Sequence, residues 1–410
     1  MSSFRRKIPT HAAAGAASAP LKRQLAGTKP FLNGQTLIST GLAQLDAILG
    51  GGLLLGTTVW LDVPRGDLGG ASAALVDDFH RYFLAEGVVS GQCAVLAADE
   101  AEAFVQQQLP MELSLAQKQV KQQLAAMDVS KDSEQSATGE LTIAWQYQKY
   151  LSDNAGSNSQ RFCHSYDLSR PMHPELLSAN PPVTLDISQF IDVEGPSSPA
   201  SVYTRLLNEV KRLVQSRTTE GDGQVVRICI REVGSPLLSV EGASIQAHMS
   251  AIFAFLRGLR IASASKPVVC QLSGHLHAFP VGFAKECAHL CDYVMEIKSF
   301  MGENDMLPAE LSEFNGLLDI HKLARVHALT CHSLDAVKYG IKRERRKMKI
   351  EKFHLPPEGS RSSTDKDKAK PAASSNSKPS NLVSSSFTRK KSSNVGCGGG
   401  SSSGFDPLDF

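Results

Sequence analysis

Residues 40–61 read TGLAQLDAILGGGLLLGTTVWL, and this stretch decides the fold. Leu42, Leu45, Ile48 and Leu49 recur at helical spacing and predict a short helix with one apolar side. Gly50, Gly51 and Gly52 follow, a run that lets the backbone turn tightly and approach its neighbours. Gly56 then opens Thr57–Val63 (TTVWLDV), whose β-branched and aromatic residues predict a buried strand.

Outward from this strand the pattern alternates. Ala71–Leu84 has helical spacing, with Leu75, Phe79, Tyr82 and Phe83 on one side. Gln92–Ala98, Val225–Ile230, Pro267–Leu272 and Tyr293–Ile297 read as short apolar strands, with helices at Ala243–Ala262 and Ala284–Cys291 between them. Gly316–His321 and Met348–Leu355 read as closing strands. Short apolar strands alternating with helices predict an α/β fold, a mostly parallel central sheet covered on both faces.

Two stretches interrupt the alternation. Residues 110–140 are rich in Gln, Lys and Met, and 150–200 hold six prolines among many Ser and Asn, so both read as surface insertions. The ends read as tails. Residues 1–30 are a basic, Ala- and Ser-rich arm without an acid before Asp46; the composition fits a disordered arm or a mitochondrial transit peptide. Residues 356–410 hold 15 serines in 55 residues and bury too little apolar surface to fold. The folded domain is therefore expected over 31–355.

Composition excludes several classes. Hydrophobic residues make up 42% and charged residues 20% of 410 residues, with a net charge of +2, so a bulk polycation is excluded and nucleic-acid contact must come from local patches. No apolar run is long enough for a membrane-spanning helix, and no membrane partner is expected. The eight cysteines are sparse and mostly in apolar surroundings, which reads as buried thiols.

The helix, triple glycine and strand of residues 40–61 resemble the entry to the RecA/KaiC ATPase core, T-G-h-x-x-L-D-x-h-h-G-G-G-h-x-x-G. That family continues with a phosphate loop, G-x-x-x-x-G-K-[ST]. Here the strand leads into Val63-Pro64-Arg65-Gly66-Asp67-Leu68-Gly69-Gly70-Ala71-Ser72. Gly66, Gly69 and Gly70 keep the turn, but the lysine for the phosphates and the hydroxyl for magnesium are missing, with Arg65 the one candidate substitute. The later strand that should end in an acid ends in Arg231-Glu232; Asp99-Glu100 closes the second strand, as exposed charges or as an acid for activating water. The expectation is a RecA-like domain with a degenerate phosphate loop.

Further stretches extend the resemblance: GTKP at 27–30, YFLAEG at 82–87, IAWQYQ at 143–148, RFCHSYDLSRPM at 161–172, FLRGLR at 255–260, GLLDIHKLARVHAL at 316–329 and IEKFHLPPE at 350–358. In this order they closely resemble the family of subunit four of the eukaryotic Elongator complex. The resemblance implies an accessory, non-catalytic subunit of a hetero-hexameric RecA-like ring with Elongator subunits five and six. That ring docks on the catalytic half of Elongator, binds tRNA, and supports carboxymethyl-type modification of the wobble uridine. It implies no firmly bound cofactor, ATP at the interfaces of the ring, and a cytoplasmic and nuclear location. Two alternatives stand beside it: an independent RecA/KaiC-like ATPase, and a scaffold that touches no RNA.

Candidate RNA contacts follow from charge and position. Lys342–Lys352 (KRERRKMKIEK) holds seven positive residues, so Lys342, Arg343, Arg345, Arg346 and Lys347 form a phosphate-binding run, a partner-subunit surface or a solvated face. Arg231, His275 and His277 lie in loops where RecA-like rings direct segments at their channel. Cys287 and Cys291 share a helix face, but the spacing is not that of a zinc site and reads as core. No metal site and no catalytic residue is expected.

Overall fold

The computed structural model describes residues 25–64, 70–113, 161–191, 199–219, 223–238, 243–302, 307–308, 311–326 and 332–353. The 1–24 part of the basic arm, Arg65, Gly66 and Gly69 of the loop, the IAWQYQ motif and the 356–410 tail lie outside the described residues.

A small antiparallel sheet comes first: β1 (Thr28–Pro30), β2 (Thr36–Ile38) and β3 (Leu53–Leu54), with helix α1 (Ala43–Ile48) between the last two. Gly52, at φ 128°, passes so close to β2 that an added Cβ would lie 2.4 Å from the Ile38 carbonyl oxygen. Only glycine fits there, which explains one member of the triple-glycine run.

The main sheet begins with β4 (Thr57–Asp62). Then follow α2 (Ala71–Val89), β5 (Cys93–Ala98), α3 (Ala101–Gln108), β6 (Pro110–Glu112), β7 (Tyr166–Pro171), α4 (Pro174–Ala179) and β8 (Val183–Asp186). After these come α5 (Pro199–Thr219), β9 (Val226–Val233), α6 (Ile245–Ser263), β10 (Val268–Gly274), α7 (Val281–Leu290), β11 (Tyr293–Ser299), β12 (Gly316–Lys322), β13 (Lys338–Arg343) and β14 (Met348–Lys352). The strand order is β14-β13-β12-β11-β4-β10-β9-β5-β8. From β8 to β11 all neighbours are parallel, and β12, β13 and β14 continue as an antiparallel meander. The strand that feeds the glycine loop thus lies centrally, between β10 and β11. This is the mostly parallel, helix-covered RecA-like architecture expected.

Strand alternation splits the core in two. Val59, Leu61, Leu96 and Cys229 face α2 and α3; Trp60, Val95, Ile228 and Leu272 face α5, α6 and α7. Trp60 is wholly buried, and burial of such a side chain contributes about 1.5–3 kcal/mol.

The structure departs from the sequence reading in three places. Residues 161–191, expected as a surface insertion, supply β7 and the main-sheet edge strand β8. Helix α5, 21 residues long, fills a stretch the sequence reading left unassigned; its Val202, Leu206, Val210, Leu213 and Val214 stripe is buried. The basic run spans a hairpin of β13 and β14, of which only the second strand was expected. The KYGIKR sequence of β13 hides a strand because Gly340 replaces a side chain: the Phe314 ring fills that space, 2.2 Å from where a Cβ would be.

Candidate functional site

The C-terminal edge of the parallel strands is where open α/β sheets bind ligands. Gly70, in the left-handed region at φ 68°, starts α2. Ser72, the nearest hydroxyl on this helix, is buried and accepts a hydrogen bond from the Ser299 backbone N–H at 2.9 Å. It is therefore a clip between α2 and the end of β11.

Arg231, near the end of β9, stands where the RecA-like resemblance leads one to expect a magnesium-binding acid. Its guanidinium bonds Asp77 of α2 at 2.9 Å and lies 4.8 Å from the Phe104 ring centre. Burial raises the Asp77 carboxyl and Arg231 opposes it. Beneath this pair His80 is fully buried, bonded to Ser273 at 2.8 Å and to Gln271 at 2.9 Å. Burial pushes its pKa down to about 3, so the ring is neutral. Asp99 and Glu100 are exposed, and Glu100 takes φ 49° at the start of α3. An arginine locked to an aspartate and a serine locked to a backbone amide do not fit a magnesium–nucleotide complex. Among the described residues no group of three or more His, Cys, Asp or Glu could hold a metal ion.

His275 is half-buried beside His277, ring centres 5.7 Å apart, and burial lowers its pKa. Cys287 and Cys291 are buried, and burial pushes both thiols up to about 12. They are inert core residues.

The basic run divides. Lys342 pairs with Glu313 and Glu351, each at 3.0 Å, and Arg343 pairs with Asp78. Arg345, Arg346 and Lys347 form the exposed tip of the β13–β14 hairpin. The Arg346 carbonyl accepts from Leu168 N–H at 2.7 Å, and its guanidinium reaches Asp167 at 3.7 Å. Exposed Arg170 also acts on Asp167, so β7 adds a fourth positive charge to the tip. Lys347 lies 3.8 Å from Glu344.

One cluster was missed from sequence. Glu86, fully buried on α2, accepts from Ser90 O–H at 2.9 Å, His164 N–H at 3.0 Å, His164 Nδ1 at 2.9 Å and Tyr166 O–H at 2.8 Å. Arg227, fully buried in β9, donates to Gln92 at 2.5 Å and to the Ser39 carbonyl at 2.7 Å. Asp46 accepts from Ser39 at 2.5 Å and from the Thr40 hydroxyl and N–H at 2.7 Å. Burial pushes Glu86 up, but the His164 hydrogen bonds and the Arg227 charge outweigh it and hold the carboxyl below its ordinary value. The visible signal was an ionisable residue inside an apolar run, Glu86 in YFLAEGVV and Arg227 in VVRICI. The TGLAQLD, YFLAEG and RFCHSYD stretches thus meet in one buried clasp.

Comparison with known proteins matches these features to one family. The family model described as PAXNEB protein matches residues 21–386. Elongator complex protein 4 of Dictyostelium discoideum is 31% identical over 378 residues, 86% of this chain and 82% of that protein. The Mus musculus protein of the same name is 31% identical over 374 residues, 87% of this chain and 85% of its own. A KaiC-like protein from the archaeon Pyrococcus horikoshii OT3 aligns with TM-score 0.39 and 14% identity, covering 77% of this chain and 98% of its own; the fold assignment rests on the strand order instead. By family model and relatives alike, this chain belongs to the Elongator complex protein 4 family and is a member of the Elongator complex.

Proposed function

We propose that the chain is an accessory subunit that completes a hetero-hexameric RecA-like ring with Elongator subunits five and six, binds tRNA there, and supports wobble-uridine modification by the catalytic half of Elongator. The observation that carries the RNA part is the β13–β14 tip. Arg345, Arg346, Lys347 and Arg170 are exposed together, a group suited to phosphate contact without sequence readout. The Arg231–Asp77 pair supports a non-catalytic role: the position for the magnesium acid carries a fixed positive charge. ATP at the interfaces of the ring belongs to the same proposal, with this chain serving a neighbour's nucleotide rather than its own. Work in cytoplasm and nucleus is part of the same proposal.

The test is tRNA binding by the assembled ring, followed by fluorescence anisotropy across a salt series. Changing Arg345, Arg346 and Lys347 to Glu should weaken binding and flatten the dependence of log K on log salt by about 2, since each lost phosphate contact removes about 0.7–0.9 from the slope. The ring should still assemble. An unchanged slope would leave the scaffold without RNA contact as the better reading.

A further inference from the structure

The tip of the β13–β14 hairpin is held firmly by its backbone and loosely at one side chain. Leu168 of β7 donates its N–H to the Arg346 carbonyl at 2.7 Å, and its own carbonyl accepts from Arg81 of α2 at 3.0 Å. On the far side of the tip, Met348 N–H donates to the Tyr82 hydroxyl of α2 at 3.1 Å. The backbone of the tip is thus tied to α2 from two directions, while the Arg346 side chain is 70% exposed.

Beside that guanidinium lies a carboxylate that cannot follow it. Asp167 is buried, and its Oδ1 accepts from Ser169 N–H at 2.9 Å and from Ser169 O–H at 2.6 Å. Met111 of β6 faces Asp167 and Pro110 faces Pro171, so Leu168, Ser169 and Arg170 bulge out of the ladder between them. A bulge re-aims side chains, and the two Ser169 bonds fix this one. The other oxygen, Oδ2, stands 3.7 Å from Nε of Arg346, an ion pair too long for a hydrogen bond. Burial pushes the Asp167 carboxyl up, but the Ser169 bonds and the charges of Arg346 and Arg170 hold it below its ordinary value. It is therefore an anion at neutral pH. Glu344, the other acid at the tip, is exposed and is taken up by Lys349 at 2.9 Å as well as by Lys347.

We propose that Asp167 is a positioning residue for RNA at this tip: it holds Arg346 as a stand-in for a nucleic-acid phosphate and gives it up when a phosphate arrives. This rests on the tRNA reading of the tip. A guanidinium takes phosphate oxygens through short, charge-assisted and often paired hydrogen bonds, which the contact to Asp167 does not supply. A loose pair with an exposed partner is worth little, so the exchange favours the phosphate. Asp167 is fixed from behind, so Arg346 is the group that turns. While it is held, the tip presents one positive charge fewer than its sequence suggests.

The test compares Asp167→Asn, Arg346→Gln and the double variant in the assembled ring, with tRNA binding read by fluorescence anisotropy at fixed salt. Asparagine keeps an oxygen for both Ser169 bonds, so the melting temperature should not change. Asp167→Asn should bind tRNA about two- to fivefold more tightly, the size of one loose ion pair. Arg346→Gln should bind more weakly, and in its presence Asp167→Asn should lose most of its effect, because the two residues act as a pair. A brace with no part in binding would move the melting temperature instead. Unchanged or weaker binding by Asp167→Asn would overturn the proposal. A gain of the same size in the Arg346→Gln background would overturn it too, as a general effect of charge. Failure of the RNA reading itself has a different signature: the wild-type ring would bind tRNA no better than the ring with Arg345, Arg346 and Lys347 changed to Glu, and the role of Asp167 would fall with it.

Discussion

Replacing Glu86 with Gln tests whether the buried clasp holds the domain together. The carboxylate takes four hydrogen bonds, two on each oxygen: Ser90 O–H and His164 Nδ1 on Oε1, His164 N–H and Tyr166 O–H on Oε2. An amide has one accepting oxygen and one donating nitrogen. With its NH₂ at the Oε2 position it would face the His164 backbone N–H, a donor that cannot turn around. With NH₂ at the Oε1 position it requires Ser90 to rotate and the His164 ring to give up its proton. The second arrangement costs less, yet leaves fully buried Arg227 without the nearby anion that most favours its charge. Removing one partner of a buried charge pair costs about 3–5 kcal/mol. At about 2 °C per kcal/mol for a domain of this size, the melting temperature should fall by roughly 6–10 °C. Thermal unfolding by circular dichroism measures it. The exposed Glu209–Arg212 pair is the control, because Glu209→Gln there should cost under about 1 kcal/mol. The signs of the pKa shifts add a second readout. Glu86 is lowered in the fold, so its contribution is present above its ordinary value of 4.5 and is lost as pH falls through the lower, folded value. For His164 burial lowers the pKa, but the Glu86 hydrogen bond and charge raise it overall, so its contribution is present below 6.5 and is lost as pH rises through the folded value. Wild-type stability should therefore decline on both flanks of that window, and Glu86→Gln should flatten both declines. A variant that melts within about 2 °C of wild type would refute the clasp as a stabilising element.

Other perturbations separate the edge from the core. Arg231→Met should lose the Asp77 ion pair and the contact over Phe104, costing about 1–3 kcal/mol in chemical denaturation, and should create no ATP hydrolysis by the isolated chain. Hydrolysis appearing in that variant would contradict the reading of Arg231 as a structural replacement. Gly274→Ala should be among the most damaging single changes, because its Cβ would lie 2.0 Å from the Val233 carbonyl oxygen. Loss of soluble folded chain on expression is the expected result, and a normally folded Gly274→Ala protein would show that the β9–β10 bulge can open.

The sheet was legible because its strands are apolar on both faces and need no partner to be recognised. TTVWLDV, CAVLAA and VVRICI announce themselves by composition alone. The degenerate loop was legible for a different reason, since a missing lysine or hydroxyl is read directly. What stayed hidden depended on groups far apart in sequence. Glu86 and His164 are 78 residues apart, and nothing local says that an acid in one helix meets a histidine after an unrelated stretch. The β13–β14 tip was visible as charge, but which cations stay free was not. Lys342 and Arg343 are taken up by Glu313, Glu351 and Asp78, whereas Arg345 is exposed.

The fastening of α2 bears on how such a domain can work inside the proposed ring. A nucleotide-driven switch needs the helix after the phosphate loop, or the strand ends beside it, to have two arrangements of similar energy. Here α2 is tied to a different strand at nearly every turn. Ser72 holds the end of β11, Asp77 holds Arg231 of β9, and His80 holds Gln271 and Ser273 of β10. Glu86 then holds the His164–Tyr166 segment. Moving α2 against the sheet would break several buried polar contacts at once, each costing about 1–3 kcal/mol if left unsatisfied. Coupling between two ligand sites is typically about 1–3 kcal/mol, which is smaller than that sum. The contacts that fasten α2 therefore leave it no second arrangement of similar energy. Conformational change in an assembly built with this chain must arise where it meets its neighbours, with the domain moving as one piece.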